Sequence, residues 1–101
     1  MGTRLELQTL LEGLQDDVAV YFQPPPNVTM SYPAIVYNRD FRDVDYADNI
    51  IWYKTLRYQV TVIDRNPDSA LPELVGDLLF TTFVRHFTTE GLNHDIYNVY
   101  F

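Results

Sequence analysis

Three aspartates near the middle of the chain come closest, in type and spacing, to a metal site. Asp43, Asp45 and Asp48 carry carboxylate oxygens of the kind that calcium prefers. An EF-hand loop beginning at Asp43 would need an oxygen ligand at its fifth position, glycine at its sixth and glutamate at its twelfth. The sequence has Ala47, Asp48 and Lys54 at those positions instead. The pattern therefore predicts a solvated acidic loop with local arginine pairing, and no metal site.

Histidine, serine and glycine provide no better template for catalysis. His86 and His94 are the two histidines, whereas a zinc site needs at least three protein ligands. Ser31 and Ser69 stand in no nucleophile-elbow motif, and the four glycines form no phosphate-binding loop. The chain has no cysteine to serve as a thiolate nucleophile or ligand. We therefore predict no catalytic residue, no metal ligand, no cofactor and no enzyme activity.

Aromatic residues are the unusual part of the composition. Eight tyrosines, six phenylalanines and one tryptophan exceed what the core of a small domain needs. Aromatic residues mixed with arginine and polar residues are typical of protein interfaces. The candidate interface residues are Arg42, Tyr46, Asp48, Ile50 and Trp52. For Trp52 the alternative of core packing, as an extension of the central strand, is equally open.

One strand, residues 54–64, is the element around which the rest of the chain is arranged. Tyr58, Val60 and Val62 alternate there with polar residues, which is the period-two pattern of a half-buried strand. Residues 32–39 and 95–101 are two further predicted strands.

The segment between the first two of these strands is polar and aromatic. Residues 40–53 contain no glycine or proline and so lack the residues of a tight two-residue turn. They predict a long hairpin loop instead. We expect residues 42–52 to be mobile in the monomer and to become ordered at a subunit or partner interface.

Two helices are predicted on either side of these strands. Thr3 and Glu6 form a capping box for a helix over residues 3–15, with leucines at helical spacing behind it. Residues 68–87 predict a second, longer helix, because apolar residues recur there every three or four positions. Residues 18–22 are a brief predicted strand that ends at a run of three prolines.

The order α-β-β-β-α-β predicts one α+β domain over residues 1–101. Its sheet is expected to be mostly antiparallel, with three to four strands and both helices packed on one face. The expected core comprises Leu7, Leu11, Leu14, Ile35, Tyr58, Val60, Val62, Leu74, Leu78 and Val99.

Charge and composition narrow the class of protein. The formal net charge of -7 and the scattered cations argue against a protein that binds duplex DNA specifically. No apolar run approaches the roughly 20 residues of a membrane-spanning helix, and the first residues do not resemble a secretory signal. The expectation is a soluble intracellular domain that does not bind membranes.

Several stretches after Val20 share a pattern of prolines, tyrosines and polar turn residues. They are Pro-Pro at 24–25, Tyr-Pro-Ala-Ile-Val-Tyr at 32–37, Tyr-Ala-Asp-Asn at 46–49, Tyr-Gln-Val-Thr-Val-Ile-Asp-Arg-Asn-Pro-Asp-Ser at 58–69 and Arg-His-Phe at 85–87. In these stretches the chain resembles the tail-terminator and tail-completion proteins of long-tailed bacteriophages, which are also labelled minor capsid or head–tail joining proteins. None of the shared residues performs chemistry.

The resemblance implies a structural virion protein. Such a protein forms a homo-hexameric ring on the head-proximal end of the tail tube, stops tube polymerisation and presents a surface for joining the head. The implied partners are copies of the chain itself, the tail tube protein and head–tail connector proteins. DNA would pass through the ring lumen without sequence-specific binding, and the protein would occur in the host cytoplasm during assembly and in the virion afterwards.

Two other classes of function remain open from the sequence. One is a neighbouring connector role, as an adaptor or stopper beneath the portal. The other is a small-ligand-binding domain or enzyme that uses the sheet face near Asp64 and His94.

Overall fold

The computed structural model describes residues 3–25, 29–47, 50–78 and 81–100, with main chain alone for residues 40–47 and 50–56. Among these residues the elements follow one another as two helices and five strands. Their bounds are α1 Arg4–Glu12, β1 Ala19–Phe22, β2 Ala34–Ala47, β3 Ile50–Asp64, α2 Leu71–Gly76, β4 Thr81–Thr89 and β5 Leu92–Tyr100.

The five strands form one mixed sheet in the order β1-β2-β3-β5-β4. β1 runs parallel to β2, and the other three neighbouring pairs are antiparallel. The α+β class is therefore confirmed. The predicted strand number and element order are only partly right, because β1 joins the sheet as a parallel edge and β4 replaces the last third of the second predicted helix.

α1 begins where the sequence predicts. Thr3 is the N-cap, and its side chain and that of Glu6 form the reciprocal capping box. The helix ends at Glu12, three residues before the predicted end, because Gly13 follows as the C-cap and glycine is a poor helix former. Leu7 and Leu11, four residues apart, are buried.

The second predicted helix is wrong beyond its first turns. α2 ends at Gly76, and residues 81–89 form β4 instead. Threonine and valine, which favour strands, occupy five of those nine positions. Glu90 and Gly91 have φ values of 52° and 75°, the left-handed pair that closes a tight hairpin, so β4 folds back onto β5.

The core lies between the two helices and one face of the sheet, which we call the helix face. Two rows of paired residues cross all five strands on this face, and the more aromatic one consists of Phe22, Tyr37, Val60, Tyr97 and Phe83. The rings of Phe22 and Tyr37 are 4.9 Å apart at their centroids, and those of Phe83 and Tyr97 are 5.5 Å apart. Leu7 and Leu11 of α1 and Leu71 and Val75 of α2 belong to the same cluster.

Most of the predicted core is confirmed. Seven of its members are buried, namely Leu7, Leu11, Ile35, Tyr58, Val60, Val62 and Val99. Leu14 and Leu78 are partly buried against the cluster. Leu74 is a wrong prediction: its side chain is 37% exposed, because the short α2 buries Leu71 and Val75 instead.

The two leucines of α2 allow a matched test of this register. Leu71→Ala should lower the free energy of unfolding by about 2–5 kcal/mol, because it leaves a cavity in a fully buried site. Leu74→Ala should change it by less than about 1 kcal/mol. Urea denaturation of both variants measures the difference. Equal losses would contradict the α2 register.

Tyr97 of β5 contacts both ends of α2 and so connects this helix to the sheet. Its hydroxyl donates a hydrogen bond of 2.9 Å to the Pro72 carbonyl oxygen at the start of α2. At the helix end, a Cβ added at Gly76 would lie 3.4 Å from the Tyr97 ring. Burial raises the pKa of Tyr97 above its usual 10.0, and the negative charges of Asp95 and Glu73 add to the effect.

Tyr97→Phe should therefore change the response of stability to pH. The folded state holds the Tyr97 proton to higher pH than the unfolded state, so this contribution is complete below pH 10.0 and is lost as pH rises through the folded pKa. We expect Tyr97→Phe to lose about 0.5–1.5 kcal/mol at pH 7 with the hydrogen bond, and to decline less steeply than wild type above pH 10.0. Denaturation of both proteins at several pH values measures this, and equally steep declines above pH 10.0 would contradict it.

Candidate interaction surfaces

The β2–β3 hairpin extends beyond the rest of the sheet. β1 accompanies β2 as far as Tyr37, and β5 accompanies β3 as far as Arg57. Farther out, residues 41–47 pair only with β3, and residues 50–56 only with β2, among the described residues. We call these two segments the arm. At about 3.3 Å per residue it is about 20 Å long, in a molecule of 51 × 27 × 24 Å.

The predicted loop is thus largely wrong, because strand pairing continues to the Ala47–Ile50 pair. Only two residues, Asp48 and Asn49, connect that pair. Aspartate and asparagine are also among the residue types that short hairpin connections favour. The lack of glycine and proline therefore did not exclude a short connection here.

Four of the five candidate interface residues lie on the strands of the arm. Arg42 is paired with Leu56, and Tyr46 with Ile51. Ile50 is paired with Ala47. Trp52 lies at the register shift, between Tyr53, which is paired with Asp45, and Ile51. Trp52 does extend β3, but its main chain lies beyond the last β5 partner. Asp48 lies outside the described residues.

The sheet has a second face, opposite the helices, which we call the open face. Two complete rows define it: Ala19, Ala34, Ile63, His94 and Phe87, and next to it Tyr21, Val36, Thr61, Ile96 and Arg85. A third row holds Asn38, Gln59, Asn98 and Thr82, and Arg57 is paired with Tyr100 beyond it. Neither described helix contributes to this face, since both pack into the core cluster on the other side.

Cationic and aromatic groups are stacked on the open face. The Arg85 guanidinium carbon is 5.1 Å from the centroid of the Phe87 ring. Phe87 and His94 are stacked nearly parallel, with centroids 4.5 Å apart and planes 8° from each other. Just past the end of β3, Arg65 lies over the Tyr32 ring at 5.6 Å. These contacts hold the guanidinium groups close to the sheet surface.

The two histidines lie on opposite faces of the sheet. His86 is on β4, not near a helix end as predicted, and it is paired with Asp95 on the helix face. The His86 Nδ1 atom is 2.8 Å from an Asp95 carboxylate oxygen. His94 belongs to the open face, where its Nδ1 is 3.3 Å from the Leu92 carbonyl oxygen. Because the sheet separates them, these two rings are not placed to bind one metal ion together.

The described residues contain no group of three or more potential ligands that could hold a metal ion. Within the same residues no helix has the length and apolar character needed to cross a membrane.

Comparisons of the chain with protein-family models, curated proteins and solved structures give no significant match. The arm and the open face are therefore the two candidate functional features of the described residues.

The positions of the histidines predict that zinc will not stabilise the fold. A ligand that binds only the folded state raises its stability, by about 2.7 kcal/mol at 100 times the dissociation constant. We expect thermal unfolding to have the same midpoint with micromolar Zn²⁺ or with EDTA. A rise in the midpoint that His86→Ala and His94→Ala each abolish would contradict the separation of the two rings.

Proposed function

We propose that the chain is a structural protein of phage assembly, which forms a ring on the tail tube, ends tube polymerisation and provides the surface for head–tail joining. The observation that carries this proposal is the arm. A two-stranded ribbon is marginally stable in water and leaves both outer edges without hydrogen-bond partners. An arm of about 20 Å that projects from a small domain is suited to contact a neighbouring subunit or the tube.

The composition of the arm supports a protein-binding role. Its two strands contain Phe41, Tyr46, Trp52 and Tyr53 together with Arg42, the combination that is enriched at the energetic centres of protein interfaces. The particular assembly, a homo-hexameric tail terminator, comes from the resemblance of the sequence to that family. In this proposal DNA passes through the ring lumen without sequence-specific contacts.

An adaptor or stopper beneath the portal is the second candidate. The arm supports this connector role as much as it supports the role of a tail terminator, because either protein must contact its own copies and a neighbouring ring. The third class, a ligand-binding domain or enzyme at the sheet face near Asp64 and His94, finds less support, because these two residues occupy positions on opposite faces of the sheet. There, the Asp64 side chain accepts from the Asn66 backbone amide at 3.0 Å, and His94 is stacked on Phe87.

Removal of the protein from the phage that encodes it distinguishes the two assembly roles. Without a tail terminator, tube polymerisation has no stop, so electron microscopy should show tails longer than wild type together with separate filled heads. Tails of normal length beside heads that have lost their DNA would favour the connector role. Normal, infectious particles would contradict both.

Substitutions in the arm test the observation on which the proposal rests. Trp52→Ala and Tyr46→Ala should each reduce complementation of the phage that lacks the protein, by more than tenfold if these residues are interface hot spots. Leu74→Ala, at a residue 37% exposed on α2, serves as a control for general effects on the folded chain. Full complementation by the Tyr46→Ala/Trp52→Ala double variant would show that the arm does not carry the contact.

A further inference from the structure

Charge is divided between the two faces of the domain. The chain has 14 acidic and 7 basic residues, yet none of the positions in the open-face rows is aspartate or glutamate. Arg57 and Arg85 lie on that face, and Arg65 lies just beyond the end of β3. In a chain with a formal charge of -7, the described positions of these rows are thus set apart by having no carboxylate.

The outer side of α1 has the opposite character. Glu6, Glu12, Asp16 and Asp17 are exposed on the helix and the turn that follows it. The one cation of this segment, Arg4, is directed toward the core: its guanidinium carbon is 4.5 Å from the centroid of the Phe22 ring and it donates to the Tyr37 hydroxyl at 3.2 Å. The exposed charges of α1 and its following turn are therefore all negative.

Apolar side chains accompany both surfaces. Leu5 and Leu10 are 65% and 39% exposed on α1, beside its carboxylates. On the open face the half-buried Phe87 lies between Arg85 and His94. An apolar centre with charged groups around it is the usual anatomy of a protein interface.

We propose that the open face of one copy binds the outer side of α1 of a second copy. Arg65 and Arg85 would meet the carboxylates of Glu12 and Asp16, and Leu5 and Leu10 would pack against the half-buried Phe87. Ala34, Ile63 and Ile96 on this face are already buried within the domain. The two surfaces are different and lie on different sides of the domain, so each copy can use both at once. Such a heterologous contact repeats from copy to copy and closes into a ring when the rotation between copies allows it.

This inference rests on the proposed function for the identity of the partner, and it adds the surfaces through which copies meet. It leaves the arm free to contact the tail tube or a more distant subunit. Because the attraction is between charges at a solvent-accessible rim, assembly should weaken with salt, as the Debye length falls from about 10 Å at 0.1 M to about 3 Å at 1 M.

Charge reversal with mixing tests the contact. One variant is Arg65→Glu/Arg85→Glu and the other is Glu12→Arg/Asp16→Arg, each followed by sedimentation velocity and native mass spectrometry over a range of concentrations. Each alone places like charges opposite each other and should raise the concentration needed for assembly more than about tenfold. An equimolar mixture should assemble again, with the two variants in equal numbers, because each supplies the complement that the other lacks.

Controls separate this contact from effects of net charge and folding. Arg39→Glu, on the helix face, and Asp77→Lys, at the end of α2, change exposed charges away from both surfaces and should assemble as wild type does. Circular dichroism and thermal unfolding check that every variant is folded, and recovery in the mixture is a second check, since a misfolded chain would not recover.

Three results would overturn the inference: a wild-type chain that stays monomeric at all concentrations, a reversed variant that assembles normally, or a mixture that does not recover. Loss of duplex DNA binding by Arg65→Glu/Arg85→Glu with unchanged self-assembly would assign the open face to nucleic acid and would also overturn it. If the contact fails while phage lacking the protein still make overlong tails, the inference is wrong and the proposed function stands.

Discussion

The pairing of β3 with strands on both of its sides is the constraint on which the rest of the structure depends. From Arg57 to Ile63 it is hydrogen-bonded to β2 and to β5, and this double pairing fixes which side chains face the helices. A shift of one residue would move Tyr58, Val60 and Val62 from the core to the open face. The same register places the aromatic row under the helices and places Arg57 and Arg85 on the open face. Core, open face and arm are therefore consequences of one alignment.

The sequence was informative where local pattern and tertiary pairing agree. Alternation identified the inner part of β3, and the capping box at Thr3 identified the start of α1. The spacing of residues 81–89 led to a wrong helix prediction, because apolar residues at 83, 84 and 87 fit helical spacing. Pairing with β5 and the left-handed pair Glu90-Gly91 favour a strand there instead. The parallel position of β1 could not be predicted either, since it depends on a contact with β2 made after an eleven-residue connection.

The sequence predicted which residue types form the candidate interface better than it predicted where they lie in the fold. Aromatic residues beside Arg42 indicated an interface, and four of the five candidates lie on one projecting arm. The open face was missed because no segment of the sequence looks basic. Its arginines come from β3, from β4 and from the segment after β3, and they share one face only because the strands are aligned in this register. The contact of the Arg4 guanidinium with Phe22 and Tyr37 is likewise a tertiary event, and it is what leaves the outer side of α1 acidic.

Hydrogen exchange on the free protein and on protein bound to tail tubes tests the central claim, that the arm is an assembly contact. In an antiparallel ribbon alternate amides point inward to the partner strand and are protected, while the intervening amides point outward to solvent. The account predicts that, on assembly, outward amides of residues 41–47 or 50–56 slow their exchange, while amides shared by β3 and β5 change little. Unchanged exchange along the whole arm in assembled particles would contradict it.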